Sequence, residues 1–199
     1  MNKIIQPKLN IQKQRQLIRQ ASAINIAALI NDLENINLKK LIRTKKDTNK
    51  GDFGSVAIIG GNKGMHGSLY LAGRAAMQLG SGKVSLASLD ASFSTDLLMP
   101  ELMTVNHKDV LKHLDSYPVI VVGPGLGQDD KAYKIIDKIL QMQPANQFIF
   151  DADGLNLLAA NTKWHFKFRT LPHKIITPHP KEAAKLLGIS ANEVQANRV

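Results

Sequence analysis

The stretch from Asn49 to Gly82, NKGDFGSVAIIGGNKGMHGSLYLAGRAAMQLGSG, decides the fold class. Val56-Ala57-Ile58-Ile59 is a short apolar run set between Gly54 and Gly60-Gly61. A run of that length bounded by glycine is the pattern of a strand buried on both faces, as in a parallel sheet. Gly64 and Gly67 follow, and Ser68 is then placed to cap a helix running to about Leu79. Leu69, Ala72, Ala76 and Leu79 recur along it at helical spacing, which predicts one buried face. The unit is strand, glycine-rich loop and helix N-terminus. Main-chain N–H groups at such a point favour anions and polar ligand groups, and glycine permits close approach. The loop is neither GxGxxG nor GxxxxGK[ST], so alone it marks a tight connection as readily as a ligand site.

Working outward, the same alternation repeats. Lys83–Ala87 is a candidate second strand, and Val119–Val122 ends in Gly123-Pro124-Gly125-Leu126-Gly127. Asp129–Met142 is an amphipathic helix with Ala132, Ile135, Ile136, Ile139 and Leu140 on one side. Phe148–Phe150 is a short strand ending in Asp151-Ala152-Asp153-Gly154. Lys174–Thr177 is another, ending in Pro178-His179-Pro180, with a helix from Glu182 to Leu187 closed by Gly188. Strands alternating with helices predict an α/β domain with a mostly parallel sheet and right-handed crossovers.

Composition narrows the function classes. The chain has 199 residues, enough for one sizeable domain. It lacks cysteine, which excludes disulfides, thiolate metal sites and cysteine nucleophiles. No apolar run approaches the ~18 residues of a membrane span, and no secretory leader pattern opens the chain. A cytoplasmic, membrane-free protein is expected, although the lack of acidic residues before Asp32 also fits an organelle transit peptide. The net charge of +10 is uneven: residues 1–50 hold 11 Lys/Arg against 3 Asp/Glu, and residues 51–199 hold 15 against 13. The basicity therefore belongs to residues 1–49, read as a helix over 10–31 and a linker. A nucleic-acid-binding module would rest on that segment alone.

Four predicted strands end in special residues, and in open α/β sheets ligands sit beyond the carboxyl ends of the strands. Gly61 and Asn62, the Gly125 and Gly127 loop, Asp151 with Asp153, and His179 are therefore expected along one rim. Asp151 and Asp153 suit either Mg²⁺ or a ligand hydroxyl, and Asp153 equally suits the N-cap of the helix carrying Asn156 and Leu157. His179, stiffened between two prolines, either presents its ring to a ligand or is structural. Lys63, His66, His107, His113, His165 and His173 are expected to face solvent or line turns. No two histidines share a zinc-ligand spacing, and Ser68 lacks a nucleophile-elbow signature.

Taken together, Lys50–Gly54, Gly60–Gly67, Pro100–Met103, Gly123–Gly127, Asp151–Asn156 and Thr177–Pro180 resemble the ADP/ATP-dependent NAD(P)H-hydrate dehydratases, the carbohydrate-kinase-like YjeF C-terminal domain. The order and spacing match from about Lys50 to Arg198. The resemblance implies a ribokinase-like three-layer α/β/α fold for residues 50–199. It also implies a repair reaction in which the S-epimer of NADHX or NADPHX is returned to NADH or NADPH with ADP or ATP and Mg²⁺. By position, Ser68, Gly125 or Gly127, and His179 match the family's substrate contacts, with Gly61, Asn62, Asp151 and Asn156 as possible secondary ones. The family usually carries Ala at the positions of Ser68 and Gly154.

The family continues past the segment matched by Val194–Arg198 into a nucleotide loop and a GGxGD motif whose aspartate is the expected catalytic base. The sequence ends at Val199 without that motif. The resemblance thus implies a partial domain with exposed apolar surface and an open sheet edge. Three readings stay open: a fragment of a dehydratase, one half of a split enzyme completed by a second polypeptide, or a non-catalytic cofactor-binding protein. A homo-oligomer is a further possibility.

Overall fold

Two parallel neighbours flank the strand at Val56–Ile59. The structure, a computed structural model, describes residues 47–142 and 146–197. The helix predicted over residues 10–31 and nearly all of the basic segment lie outside them, as do Arg198 and Val199. Residues 48–198 form one unit. Its strands are β1 (Ser55–Gly60), β2 (Lys83–Ser88), β3 (Met103–Asn106), β4 (Val119–Val122), β5 (Gln147–Phe150) and β6 (His173–Ile176). They form one sheet in the order β3-β2-β1-β4-β5-β6, and every pairing is parallel.

The helices are α1 (His66–Gln78), α2 (His107–Lys112), α3 (Asp130–Met142), α4 (Asp153–Ala160), α5 (His165–Thr170), α6 (Pro180–Leu187) and α7 (Ala191–Ala196). Alternate residues of each strand point to opposite faces, and each face has its own core. Ala57, Ile59, Ile120, Val122, Phe148 and Phe150 pack under Val110 of α2, the apolar side of α3, and Leu155 and Leu158 of α4. Ile58, Val84 and Leu86 on the opposite face pack under Leu69 of α1, with Phe93 and Leu102. The result is the three-layer α/β/α arrangement.

The predicted buried side of α3 is the observed one: Ala132, Ile135, Ile136, Ile139 and Leu140 are all buried. A helix of this length is marginal in isolation, whereas burying a large aliphatic side chain stabilises by about 1.5–3 kcal/mol, so packing decides its formation. Helix α1 departs from expectation at both ends. It starts at His66, and Ser68 is its third residue rather than its cap. Leu79 is the C-cap and 90% exposed, so it does not continue the buried face.

At the other side of the sheet β6 pairs with β5 and with no further described strand. Ile175 and Ile176 of that strand are exposed. Among the described residues no helix is long and apolar enough to cross a membrane.

The loop after β2 is anchored to α1 by a two-pronged pair. Arg74 Nε and Nη2 donate to the two carboxylate oxygens of Asp96 at 2.6 and 2.7 Å, and Asp96 is buried. The Arg74 guanidinium holds the Asp96 carboxyl below its ordinary range, and the Arg74 pKa is raised in turn. A folded-state pKa below the unfolded one gives stability that is present above the unfolded value and lost as pH falls through the folded one. Thermal unfolding followed down from pH 7 is therefore expected to lose stability below about pH 4. Asp96→Asn should flatten part of that fall. A variant with the same acid slope as wild type would contradict this assignment.

Candidate functional site

The parallel register brings the strand ends into one line. Ile59 is level with Val122, Val122 with Phe150, and Phe150 with Ile176, so the segments that follow emerge side by side. The loops are then bonded to one another. Gly61 N–H donates to Pro124 O at 2.9 Å, and Asn62 N–H donates to Gly125 O at 2.7 Å. Asn62 Nδ2 donates to Asp129 Oδ2 at 2.8 Å, tying the β1 loop to the entrance of α3. Its backbone partner Ala132 N–H, followed by the Asn62 amide and nearby Lys131, holds the Asp129 carboxyl below its ordinary range.

Gly125 sits at φ 59°, and a Cβ there would stand 2.2 Å from Ser68 Oγ. Only glycine lets this loop lie against α1. Ser68 Oγ donates to Met65 O at 2.7 Å, so the hydroxyl closes the first turn of its own helix while resting on Gly125. Ser68 and Gly125, both of which the resemblance implies as substrate contacts, therefore touch.

The β5 end corrects one expectation. Asp153 is not the N-cap of α4; Ala152 holds that place, at φ 47° and without a side-chain cap bond. Asp153 reaches across instead: Oδ2 accepts from Gly127 N–H at 2.9 Å and Oδ1 from Gln128 Nε2 at 3.0 Å. Its carboxylate shapes the glycine loop. The positive φ at Ala152 is strained for a side-chain-bearing residue, and it lies between two aspartates with different partners. Asp151 Oδ1 accepts from Thr177 Oγ1 at 2.8 Å, and no described residue donates to its Oδ2. Asn156, one turn into α4, accepts from Lys185 Nζ of α6 at 2.6 Å.

His179 is the N-cap of α6, a role the sequence reading did not assign. Its Nδ1 accepts from Lys181 N–H at 3.1 Å, which places the ring proton on Nε2, 3.1 Å from Glu182 Oε1. Buried Glu182 also accepts the His179 backbone N–H at 2.9 Å, completing a capping box. The ring is more than half exposed while both nitrogens are engaged, so it offers its face and carbon edge outward. Among the described contacts His179 does not touch the Ser68–Gly125 pair; it shares the rim through Thr177 and Pro178.

The other histidines depart from solvent positions in three cases. His66 is half-buried with Nε2 3.0 Å from Asp90 Oδ2, His107 Nδ1 lies 3.0 Å from Ser88 O, and His165 Nε2 lies 3.0 Å from Leu158 O. Ser88 Oγ also donates to Gly61 O at 2.6 Å, which extends the bonded rim to β2.

A family model described as NAD(P)H-hydrate dehydratase matches residues 56–199. The chain belongs to the NAD(P)H-hydrate dehydratase family. It is 40% identical over 162 residues to the bifunctional NAD(P)H-hydrate repair enzyme Nnr of Coxiella burnetii, covering 79% of this chain and 32% of that one. It is 38% identical over 160 residues to the ADP-dependent (S)-NAD(P)H-hydrate dehydratase of Neisseria meningitidis, covering 77% of this chain and 52% of that one. Among solved structures, the Bacillus subtilis ADP/ATP-dependent NAD(P)H-hydrate dehydratase co-crystallised with ATP/Mg²⁺ superposes with a TM-score of 0.59. That match has 27% identity and covers 77% of this chain and 54% of the other. A ribokinase-like protein of Enterococcus faecalis gives a TM-score of 0.64 at 23% identity, which supports the ribokinase-like fold alone.

The chain thus spans between a third and about half of these relatives. Within this dehydratase-family chain the shared portion contains the whole bonded rim, from Gly61 to His179.

Proposed function

We propose that the rim is the substrate wall of an NAD(P)H-hydrate dehydratase site, taking the S-epimer of NADHX or NADPHX. The observation that carries this reading is the contact of Ser68 with Gly125 inside a loop cluster that glycine alone allows to close. In this reading Gly61, Asn62 and the Gly125–Gly127 loop present main-chain groups to the ligand. The free oxygen of Asp151 takes a ligand hydroxyl, and the exposed face of His179 lies against the reduced nicotinamide ring. Asn156, held by Lys185, supports the His179 side of the rim from behind.

The chemistry needs a better leaving group than hydroxide, and ADP or ATP would supply the phosphoryl group that makes one. The described rim carboxylates are engaged in shaping loops: Asp153 on Gly127, Asp129 on Asn62 and Ala132, Asp151 on Thr177. Nor do the described residues contain a group of three side chains able to hold a metal ion. No step through Mg²⁺ is therefore assigned to them. Binding and orientation are the work proposed for this part of the chain, with the nucleotide side contributed by residues outside it, in the same chain, a second copy or a complementing polypeptide. A cytoplasmic location suits such a cofactor-repair role.

The test is calorimetric titration of the full chain with (S)-NADPHX. His179→Ala should weaken binding by about tenfold, the equivalent of roughly 1.4 kcal/mol. His179→Asn keeps a capping acceptor and removes the ring, so it should weaken binding equally while leaving α6 intact. Wild-type affinity in both variants would remove His179 from the site, and no binding by the wild-type chain would overturn the reading.

A further inference from the structure

Both carboxylate oxygens of Asp153 are directed at the segment that follows β4. Oδ2 accepts from the main chain of Gly127 and Oδ1 from the side chain of Gln128, 26 and 25 residues away in sequence. A carboxylate at the start of a helix ordinarily serves that helix, whose open N–H groups and macrodipole favour negative charge. Here α4 begins without any side-chain cap bond, and its first carboxylate reaches into another loop.

The base of Asp153 is fixed by close backbone packing. Asp151 N–H donates to Val122 O at 3.1 Å, and Gly154 N–H closes a turn on Asp151 O at 2.9 Å. A Cβ on Gly154 would stand 2.7 Å from Val122 O, so α4 begins in contact with the end of β4. Ala152 lies in this turn at φ 47° and ψ −118°, the conformation of the first central residue of a type II′ turn, which ordinarily calls for glycine. Strain of that kind persists only where the surroundings over-determine it. It sets the direction in which the next residue, Asp153, leaves the chain.

The other end of the clamp has equally little slack. Gly127 stands at φ 77°, and a Cβ there would lie 2.9 Å from Asn62 Nδ2. The Gly127 peptide is thus held between Asn62 and Asp153. Gly123 N–H donates to Ile59 O at 3.1 Å and Leu126 N–H to Gly123 O at 2.9 Å, whereas Gly125 N–H has no acceptor among the described residues. With Gly127 N–H taken by Asp153, Gly125 N–H is the donor that the Gly123–Gly127 loop has left for a ligand.

We propose that Asp153 is a positioning residue for the substrate: by drawing Gly127 N–H towards α4 it fixes the loop so that Gly125 N–H faces the ligand. Asp153 acts through the loop and makes no ligand contact of its own. This role rests on the reading of the rim as the substrate wall.

The experiment compares wild type, Asp153→Ala, Asp153→Asn and Asp96→Asn as full chains. It measures (S)-NADPHX affinity by calorimetry, stability by denaturant unfolding, and the ligand-free amide spectrum. Asp153→Ala should lose about tenfold or more in affinity, with the Gly125 and Gly127 amide signals displaced. Asp153→Asn keeps an oxygen for Gly127 N–H, and the Gln128 amide can turn its own oxygen to the new NH₂ group, so most of the affinity should return. Asp96→Asn breaks the pair with Arg74 and should lose stability without losing affinity, which separates positioning from folding. Wild-type affinity in Asp153→Ala would overturn this inference alone. So would equal losses in the alanine and asparagine variants, or a loss in Asp96→Asn matching that of Asp153→Ala. Failure of wild type to bind (S)-NADPHX would overturn the reading of the rim and this inference together.

Discussion

Gly123→Ala is expected to destabilise the protein by about 3–5 kcal/mol, the range of substitutions that combine overpacking with backbone strain. Gly123 stands at φ 128°, and a Cβ there would lie 1.8 Å from Asp151 O and 2.8 Å from Gly154 N. Both neighbours are backbone, so no side-chain rotation relieves the clash. The β4 and β5 exits would have to move apart, and with them Asp153 and the loop it holds. Gly64→Ala is the control: φ is 80° but nothing lies within 4 Å, so only conformational strain of about 1 kcal/mol applies. Denaturant unfolding of the two variants checks this. A Gly123→Ala midpoint no lower than that of Gly64→Ala would contradict the close approach of the two exits.

The second large effect is expected at Glu182. It is 5% exposed, accepts the His179 backbone N–H and faces His179 Nε2. Glu182→Ala removes the reciprocal half of the capping box and frees the ring, at a cost of about 1–3 kcal/mol. Glu182→Gln keeps an acceptor of the same shape and should recover most of that stability. Because Glu182 Oε1 holds the Nε2 edge of the His179 ring at 3.1 Å, the alanine variant should also weaken (S)-NADPHX binding beyond what its stability loss explains. Equal ligand affinity in the alanine and glutamine variants would reduce Glu182 to a helix cap.

Much of this architecture was legible in the residues. The apolar runs at Val56–Ile59 and Val119–Val122, each ending in glycine, read as buried strands, and the five apolar positions of α3 named its buried side. The shared rim followed from parallel strands ending in glycine, aspartate and histidine. What stayed hidden depended on partners distant in sequence. Strand β3 is four residues long, with a largely exposed Met-Thr-Val-Asn pattern, and exists because β2 pairs with it. Ser68 looked like a cap, but its hydroxyl found Met65 O and the helix began two residues earlier. Asp153 also looked like a cap, and only the position of Gly127 explains why its carboxylate turned away. The capping role of His179 was readable in principle, since Glu182 three residues on gives the reciprocal pattern of a capping box.

The most direct test of the central claim is amide chemical-shift mapping of the full chain with (S)-NADPHX. The predicted result is a single cluster of perturbed amides that includes Gly61, Asn62, Ser68, Gly125, Gly127 and the segment around His179. Shifts confined to the exposed β6 edge, or absent from the four strand-end loops at saturating ligand, would contradict it.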